Sequence, residues 1–483
     1  MGPTAGGRNS VWTQRDQIQA YQFLRRRLVS ALVAADANHP VSPSRRLVLG
    51  TVLGLAAALL VTAVFGVIGL LNPAGGKDWL AGGKVILEEG TGARFVLGQD
   101  GVLHPVLNYA SARLLAGGNG DATVTVSPAN LGKAGRGTRI GIPGAPDSLP
   151  AGGALVTTPW TSCTRTTQDA PASAEPLAAA LLGAPASGVE LPPDQGVIVR
   201  PPGGERFLLP GGRRYRRAAA AATALQFDSY PTIAVSARWL DTVPAGRDLG
   251  AIPVAGAGDP GPRVGGTETR VGEVLGVVDA MAAPGAATSY YLVRADGLEP
   301  IGQTEASLLV TSTANAAAYP GQPAPVQVRA ADVAAVAKVA EPRAGGADPA
   351  GYPDRIPGKA PITGNSVTLC LQGSRILISA EVPLPAGARA IPVTGRADAR
   401  VADEVFVPPS GGAVVAETGS GTTYLVTELG QKSPVVNAQA LASLGYGAVA
   451  RQPVAGSLLA LVPTGPALDP ATAGQAVPSG GTG

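Results

Sequence analysis

One run of apolar residues, Leu47 to Leu71, constrains this chain more than any other feature. No charged residue interrupts it. As a helix rising ~1.5 Å per residue, it is long enough to cross a ~30 Å hydrocarbon core. Arg45 and Arg46 stand at its N-terminal end, with Arg25, Arg26 and Arg27 a little upstream; beyond it only Lys77 appears, beside Asp78. By the positive-inside rule these five arginines keep residues 1–46 in the cytoplasm and send the rest across. The expected localisation is the inner (plasma) membrane, single-pass, with an extracytoplasmic C-terminal domain. A cleaved signal peptide fits less well, because its apolar core is usually 7–15 residues behind a short leader. A buried core helix fits poorly with a run that is apolar all round and flanked by arginines.

Composition narrows the exported part. The 483 residues suffice for two or three domains at ~150 residues each. Charged residues are 15% and aromatics 4%, while Gly (66) and Pro (44) abound, which favours turns and short strands over long helices. The first 71 residues carry seven arginines against Asp16 and Asp36, so the net charge of +3 leaves −2 on the remainder. A near-neutral ectodomain argues against nucleic-acid binding. Arg213, Arg214, Arg216 and Arg217 around Tyr215 form the one basic cluster, read either as a solvated loop or strand edge or as a contact for an acidic partner or lipid headgroup. The two cysteines, Cys163 and Cys370, both lie on the exported side. One disulfide is the favoured reading in an oxidising compartment, two buried thiols the other.

Ahead of the apolar run, residues 13–36 read as an amphipathic helix. Ile18, Tyr21, Leu24, Leu28 and Leu32 recur at three- and four-residue spacing, Thr13 and Asp16 suit the N-terminus, and Asn38-His39-Pro40 with Pro43 breaks it. Its apolar stripe makes it a docking helix, for a partner or for anionic lipid. Within the membrane run, Gly50, Gly54, Ala58, Thr62 and Gly66 form a stripe of small residues suited to close helix packing, although glycine is common in membrane helices in any case.

The ectodomain repeats itself. Pro150, Cys163 and Pro201 are matched 207 residues on by Pro357, Cys370 and Pro408. Val243–Leu249 echoes Val462–Leu468. A finer unit, hairpin then short helix, begins at Phe95 with an Asp100-Gly101 turn and Asn108 as N-cap. Its cognates start near Phe207, Tyr291 and Tyr424. The expected organisation is a cytoplasmic segment (1–46), a transmembrane helix (47–71), modules at 75–122, 201–255, 268–330 and 406–465, a central domain from 123–200 and 331–405, and a disordered tail (466–483). The fold class is thus one transmembrane helix plus an elongated, β-rich α+β domain, internally duplicated, quasi-two-fold, with four modules around a centre.

Catalytic chemistry finds little footing. His39 and His104 are the only histidines, and neither has the partners of a triad or a zinc site. Glu88-Glu89 is the one adjacent carboxylate pair and reads as a turn or solvated edge. The Gly-Lys dipeptides precede Asp78, Val85, Ala134 and Ala360, never Ser or Thr as a P-loop requires. No catalytic, cofactor or metal residue is assigned.

Gln14 to Leu28, then Ala31-Leu32-Val33 and Asp36, then a Ser/Arg-flanked single anchor, closely resembles the EccB family of type VII (ESX) secretion systems. Arg139 to Pro150, the two lone cysteines and the duplicated ectodomain match as well. The resemblance implies a structural subunit of the actinobacterial inner-membrane core complex, with EccC, EccD, EccE and a mycosin protease as partners, self-associating ectodomains, inner-membrane lipid around the anchor, and a disulfide holding four repeat modules about a β-rich centre. Some members of the family carry an ATPase label, so an extracytoplasmic nucleotide or cell-wall hydrolase is the alternative. A sugar-binding wall module is a third reading, disfavoured by the few aromatics.

Overall fold

The computed structural model describes residues 13–34, 43–71, 77–118, 123–167, 175–185, 187–278, 287–339, 351–395 and 398–477. They fall into two compact units, Met1–Leu80 and Ala81–Gly483.

The first unit carries α1 (Gln14–Ala34) and α2 (Pro43–Leu71). Asp16 closes the start of α1, accepting from the Thr13 backbone N–H at 3.1 Å and the Thr13 hydroxyl at 2.6 Å. These bonds hold the Asp16 carboxyl below its ordinary value. Ile18, Tyr21, Leu24, Leu28 and Leu32 are all exposed. In α2, Val48–Val67 is the one helix among the described residues long and apolar enough to cross a membrane. Pro43 sits at its start, where a missing N–H costs nothing. His39, the expected break at 38–40 and the N-terminal dozen residues lie outside the described residues.

The second unit is built on a seven-stranded sheet ordered Ile391–Pro392, Glu404–Phe406, Leu177–Leu182, Trp160–Thr167, Ser366–Gln372, Arg375–Ser379, Val189–Glu190. Alternation sorts its side chains. Leu369 and Leu371 join a core with Val197 and Trp239 on one face. Cys370 points the other way, among Ala179, Leu181 and Phe406. Leu177–Leu182, despite its three alanines, is a strand because both its faces are covered.

Four further sheets each contain a four-strand path of one order. In the first, Leu103–Pro105, Arg94–Leu97 and Val85–Glu88 form an antiparallel meander, and Thr123–Val126 returns parallel to Val85–Glu88 after the helix Tyr109–Ala116. The second runs Tyr215–Arg216, Phe207–Pro210, Gln195–Arg200, Thr232–Ala234, with Gly358–Lys359 added beside Gln195–Arg200. The third runs Gly297–Ile301, Ala287–Arg294, Val274–Val278, Val326–Val328, and the fourth Lys432–Pro434, Thr423–Thr427, Gly412–Thr418, Gln452–Ala455. The first and fourth share a core of Ala110, Leu114, Leu425, Leu441 and Leu468. The second and third share another, with Ile198, Leu208, Val274 and Leu309.

The expected boundaries differ from these sheets in several places. Thr123–Val126 completes the first sheet, although it lies past 122. Gln195–Arg200 is an inner strand of the second sheet, not part of the centre. Pro201 follows that strand while Pro408 precedes Gly412–Thr418, so their shared offset does not mark equivalent positions. The expected disordered tail is ordered as far as Val477. Leu468 is fully buried, Asp469 caps the helix Pro470–Ala473, and the Val477 N–H donates to the Arg139 carbonyl. Residues 478–483 lie outside the described residues.

Candidate functional site

Cys163 and Cys370 face each other in register across the central ladder, and their sulfurs are bonded at 2.06 Å. Both are fully buried, and the bond joins positions 207 residues apart. Next to Cys163, the Trp239 indole donates to the Ser162 carbonyl at 3.0 Å, and the Ser162 and Thr242 hydroxyls meet at 2.7 Å. Arg238 reaches from the short helix Ala237–Leu240, which also carries Trp239, to the Val401 carbonyl (2.8 Å) and to the Asp403 carboxylate (3.1 and 3.3 Å). Its guanidinium is buried and also meets the Glu175 carboxylate at 3.1 Å, and Asp403 in turn accepts from the Ala178 N–H, so the second sheet is pinned to the centre by a buried arginine shared between two carboxylates.

The basic cluster is consumed within the fold. Arg214 pairs with Asp241, Arg216 with Asp248, and Arg217 with Asp228. The Arg213 guanidinium donates to the Ala245 carbonyl. His104 is held between the Thr138 carbonyl (3.0 Å) and Asp100 (3.3 Å). Glu88 accepts from the Thr91 hydroxyl in a turn. Of the Gly-Lys dipeptides, Lys84 lies just before the strand Val85–Glu88, and Lys359 lies inside the strand Gly358–Lys359. Neither opens a helix, as a phosphate cradle would. Among the described residues no three His, Cys, Asp or Glu side chains gather to hold a metal.

Two of the clefts beside the fourth sheet draw on distant segments. One, of about 410 Å³, brings Asp398, Arg400, Glu417, Tyr424 and Lys432 together. The Lys432 ammonium lies 5.9 Å from the Tyr424 ring centre and donates to the Val462 carbonyl. Burial pushes its pKa down to about 8, while hydrogen bonds from Arg400 hold Asp398 at about 2. The other cleft, of about 580 Å³, is walled by Pro159, Trp160, Leu371, Gln452 and Val454 among others. Sequence reasoning found neither, because their linings come from distant segments.

Residues 10–478 match the family described as type VII secretion system ESX-1, transport TM domain B, EccB. The chain belongs to the EccB family. It is a structural subunit of the type VII secretion machinery, as the sequence resemblance implied. An EccB relative from Mycolicibacterium smegmatis, named ESX-3 secretion system ATPase EccB3, is 29% identical over 94% of this chain and 89% of its own length. One from Mycobacterium marinum, named ESX-5 secretion system ATPase EccB5, is 27% identical over 98% and 95%. A solved EccB3 dimer from an ESX-3 core complex shares the fold at TM-score 0.62 and 25% identity, covering 81% of this chain and all of that one. A chain of an intact ESX-5 inner membrane complex does so at 0.65 and 24%, covering 99% and 98%. This EccB chain is therefore one apolar helix joined to a β-rich, mixed-sheet domain.

Proposed function

We propose that this EccB protein is a non-catalytic, single-pass scaffold of the secretion core, with residues 1–46 cytoplasmic, α2 across the bilayer and the second unit outside it. One observation carries the reading. The Cys163–Cys370 bond is built into the second unit, and such a bond belongs in an oxidising compartment. The five arginines all precede the apolar run, Arg45 and Arg46 in the first turn of α2. Protease added to intact spheroplasts is expected to digest the second unit. Digestion only in inside-out vesicles would reverse the topology.

The exposed stripe of α1 supports docking to cytoplasmic-side components, for which EccC, EccD and EccE are the family candidates, with the mycosin outside. Leu24→Asp with Leu28→Asp is expected to strip partners from the purified membrane complex; full recovery of every component would remove α1 from the interface. In α2, a side chain added at Gly50, Gly54 or Gly66 would meet nothing within 4 Å in the lone chain. The Thr62 hydroxyl is turned back onto the Ala58 carbonyl at 2.7 Å. Both features leave that face smooth for a neighbouring helix. The relatives solved as a dimer and as an inner membrane complex support self-association of ectodomains.

An internal duplication, with four modules around a central sheet, is part of the proposal. Its support is the common strand order and a recurring cation over the second-strand aromatic. Arg136 sits 4.3 Å from the Phe95 ring centre and Lys338 4.4 Å from that of Tyr291. Arg214 sits 5.8 Å from Phe207 and Lys432 5.9 Å from Tyr424. In the first and third sheets the cation comes from the returning segment; in the second and fourth it comes at the start of the third strand. That alternation is what copying a two-module half would leave.

The names of the relatives favour a second reading, ATP hydrolysis. Sustained turnover by the purified full chain, abolished by one polar substitution in the second unit, would replace the scaffold reading.

A further inference from the structure

The 580 Å³ cleft opens between the end of the central ladder, the loop after Trp239, and the strand Gln452–Ala455. Its volume is in the range of ligand sites, and Pro159, Leu371, Pro453 and Val454 make much of its wall apolar. Two polar atoms of residues in that wall are buried and have no hydrogen-bond partner. They are the Trp160 indole N–H and the Gln452 side-chain carbonyl. Buried polar groups in folded proteins are nearly always paired, and each exception asks for a reason. Here the exceptions are one donor and one acceptor, on two residues that line the same cleft.

We propose that this cleft binds an extended, apolar segment of polypeptide, whose backbone carbonyl accepts from Trp160 and whose N–H donates to Gln452. An amide is a neutral group that offers the two functions on separate atoms, whereas a hydroxyl offers both on one. A carboxylate has acceptors only and an ammonium donors only. A peptide is favoured over a small amide by the strand Gln452–Ala455. It pairs with Gly412–Thr418 on one side and ends the sheet on the other, so its outer edge can add a strand. Pro453 on that edge, which has no N–H to give, limits the addition to a short segment. In the free protein both unpaired atoms are closed off from water, so entry of the segment requires the Gln452 side chain to turn.

The full chain in detergent, carrying tryptophan labelled with ¹⁵N in the indole ring, tests this. The Trp160 resonance is identified by its loss in Trp160→Phe. Titration with acetyl-Ala-Leu-Ala-amide is expected to move it saturably at millimolar concentration, while Trp239, already bonded to Ser162, stays in place and reports an intact fold. Gln452→Leu should weaken the response about tenfold, the usual effect of one lost hydrogen bond. The same peptide N-methylated at leucine should fail to saturate it. A Trp160 resonance that never moves would overturn the proposal, and would mean that Gln452 satisfies the indole by itself in solution. Equal binding of the methylated peptide, or of Gln452→Leu, would overturn the amide pairing. Equal binding of N-acetyl-leucinamide would overturn strand addition in favour of a small-molecule site.

Discussion

At the scale of single residues, glycine marks where two segments touch. Gly246 runs beside the third strand of its sheet, and a β-carbon placed there would sit 2.2 Å from the buried Tyr215 ring. Gly137 and Gly465 take the same place against His104 and Ser433, at 2.4 and 2.8 Å. A ring cannot retreat as a flexible chain end can. Gly246→Ala is therefore expected to cost ~1–3 kcal/mol in denaturant unfolding, whereas Gly250→Ala, which meets only Ala218 at 3.9 Å, should be near neutral. Lys432 gives a residue-scale pH effect. Its folded pKa of about 8 is below the ordinary 10.5, so between these values the unfolded chain binds the extra proton and stability rises with pH. The rise is clearest from pH 8 to 10, because burial raises the Tyr319 and Tyr446 phenols and unfolding becomes favoured again above their ordinary value of 10.0. Asp398, Glu417, Arg400 and Tyr424 face the ammonium throughout. Lys432→Met should flatten the slope over that window, measured as unfolding free energy against pH.

At the scale of elements, caps and strands were the most legible features. Asn108 was readable as a helix start from its place after a strand, and both it and Asn437, at the same place after the fourth sheet's third strand, accept from the backbone N–H three residues on, at 3.0 and 2.8 Å. Asn437→Ala should lower stability by about 1 kcal/mol, read from the thermal midpoint. The second strands, carrying Phe95, Phe207, Tyr291 and Tyr424, could be found because an aromatic followed by a turn glycine recurs. The strand Gln195–Arg200 was hidden by a coincidence of Pro-Pro pairs, and the order of the tail by its low-complexity composition, in which the buried Leu468 is one residue among many Pro, Thr and Gly. Neither cleft was legible, since nothing local joins Pro159 to Val454. Contacts between helices were equally silent. Arg113 donates to the Ser443 and Leu444 carbonyls, closing the far end of the helix Ala438–Ser443. Arg113→Ala should raise amide exchange at that end while leaving the second and third sheets unchanged.

At the scale of the whole second unit, the central sheet is tied by one covalent bond and two shared cores. Cys163→Ala with Cys370→Ala removes a cross-link over 207 residues. It should destabilise the unit by ~2–5 kcal/mol in denaturant, with the ladder Trp160–Thr167/Ser366–Gln372 still formed, because the buried side chains on both sheet faces do not depend on the sulfurs. A loss below ~0.5 kcal/mol would show that the packed cores alone fix the register.

Arg113 and the carbonyl it caps at Ser443 are 330 positions apart. Ribosomes add residues at ~5–20 per second, so Leu114 and its neighbours wait tens of seconds for Leu441 and Leu468 to be made. Throughout that interval a greasy helix flank stands uncovered, and a polypeptide truncated near its end never closes it. Maturation of this protein is thus timed by residues made long after the helix they cover, and a holdase at the site of emergence would shorten the hazard.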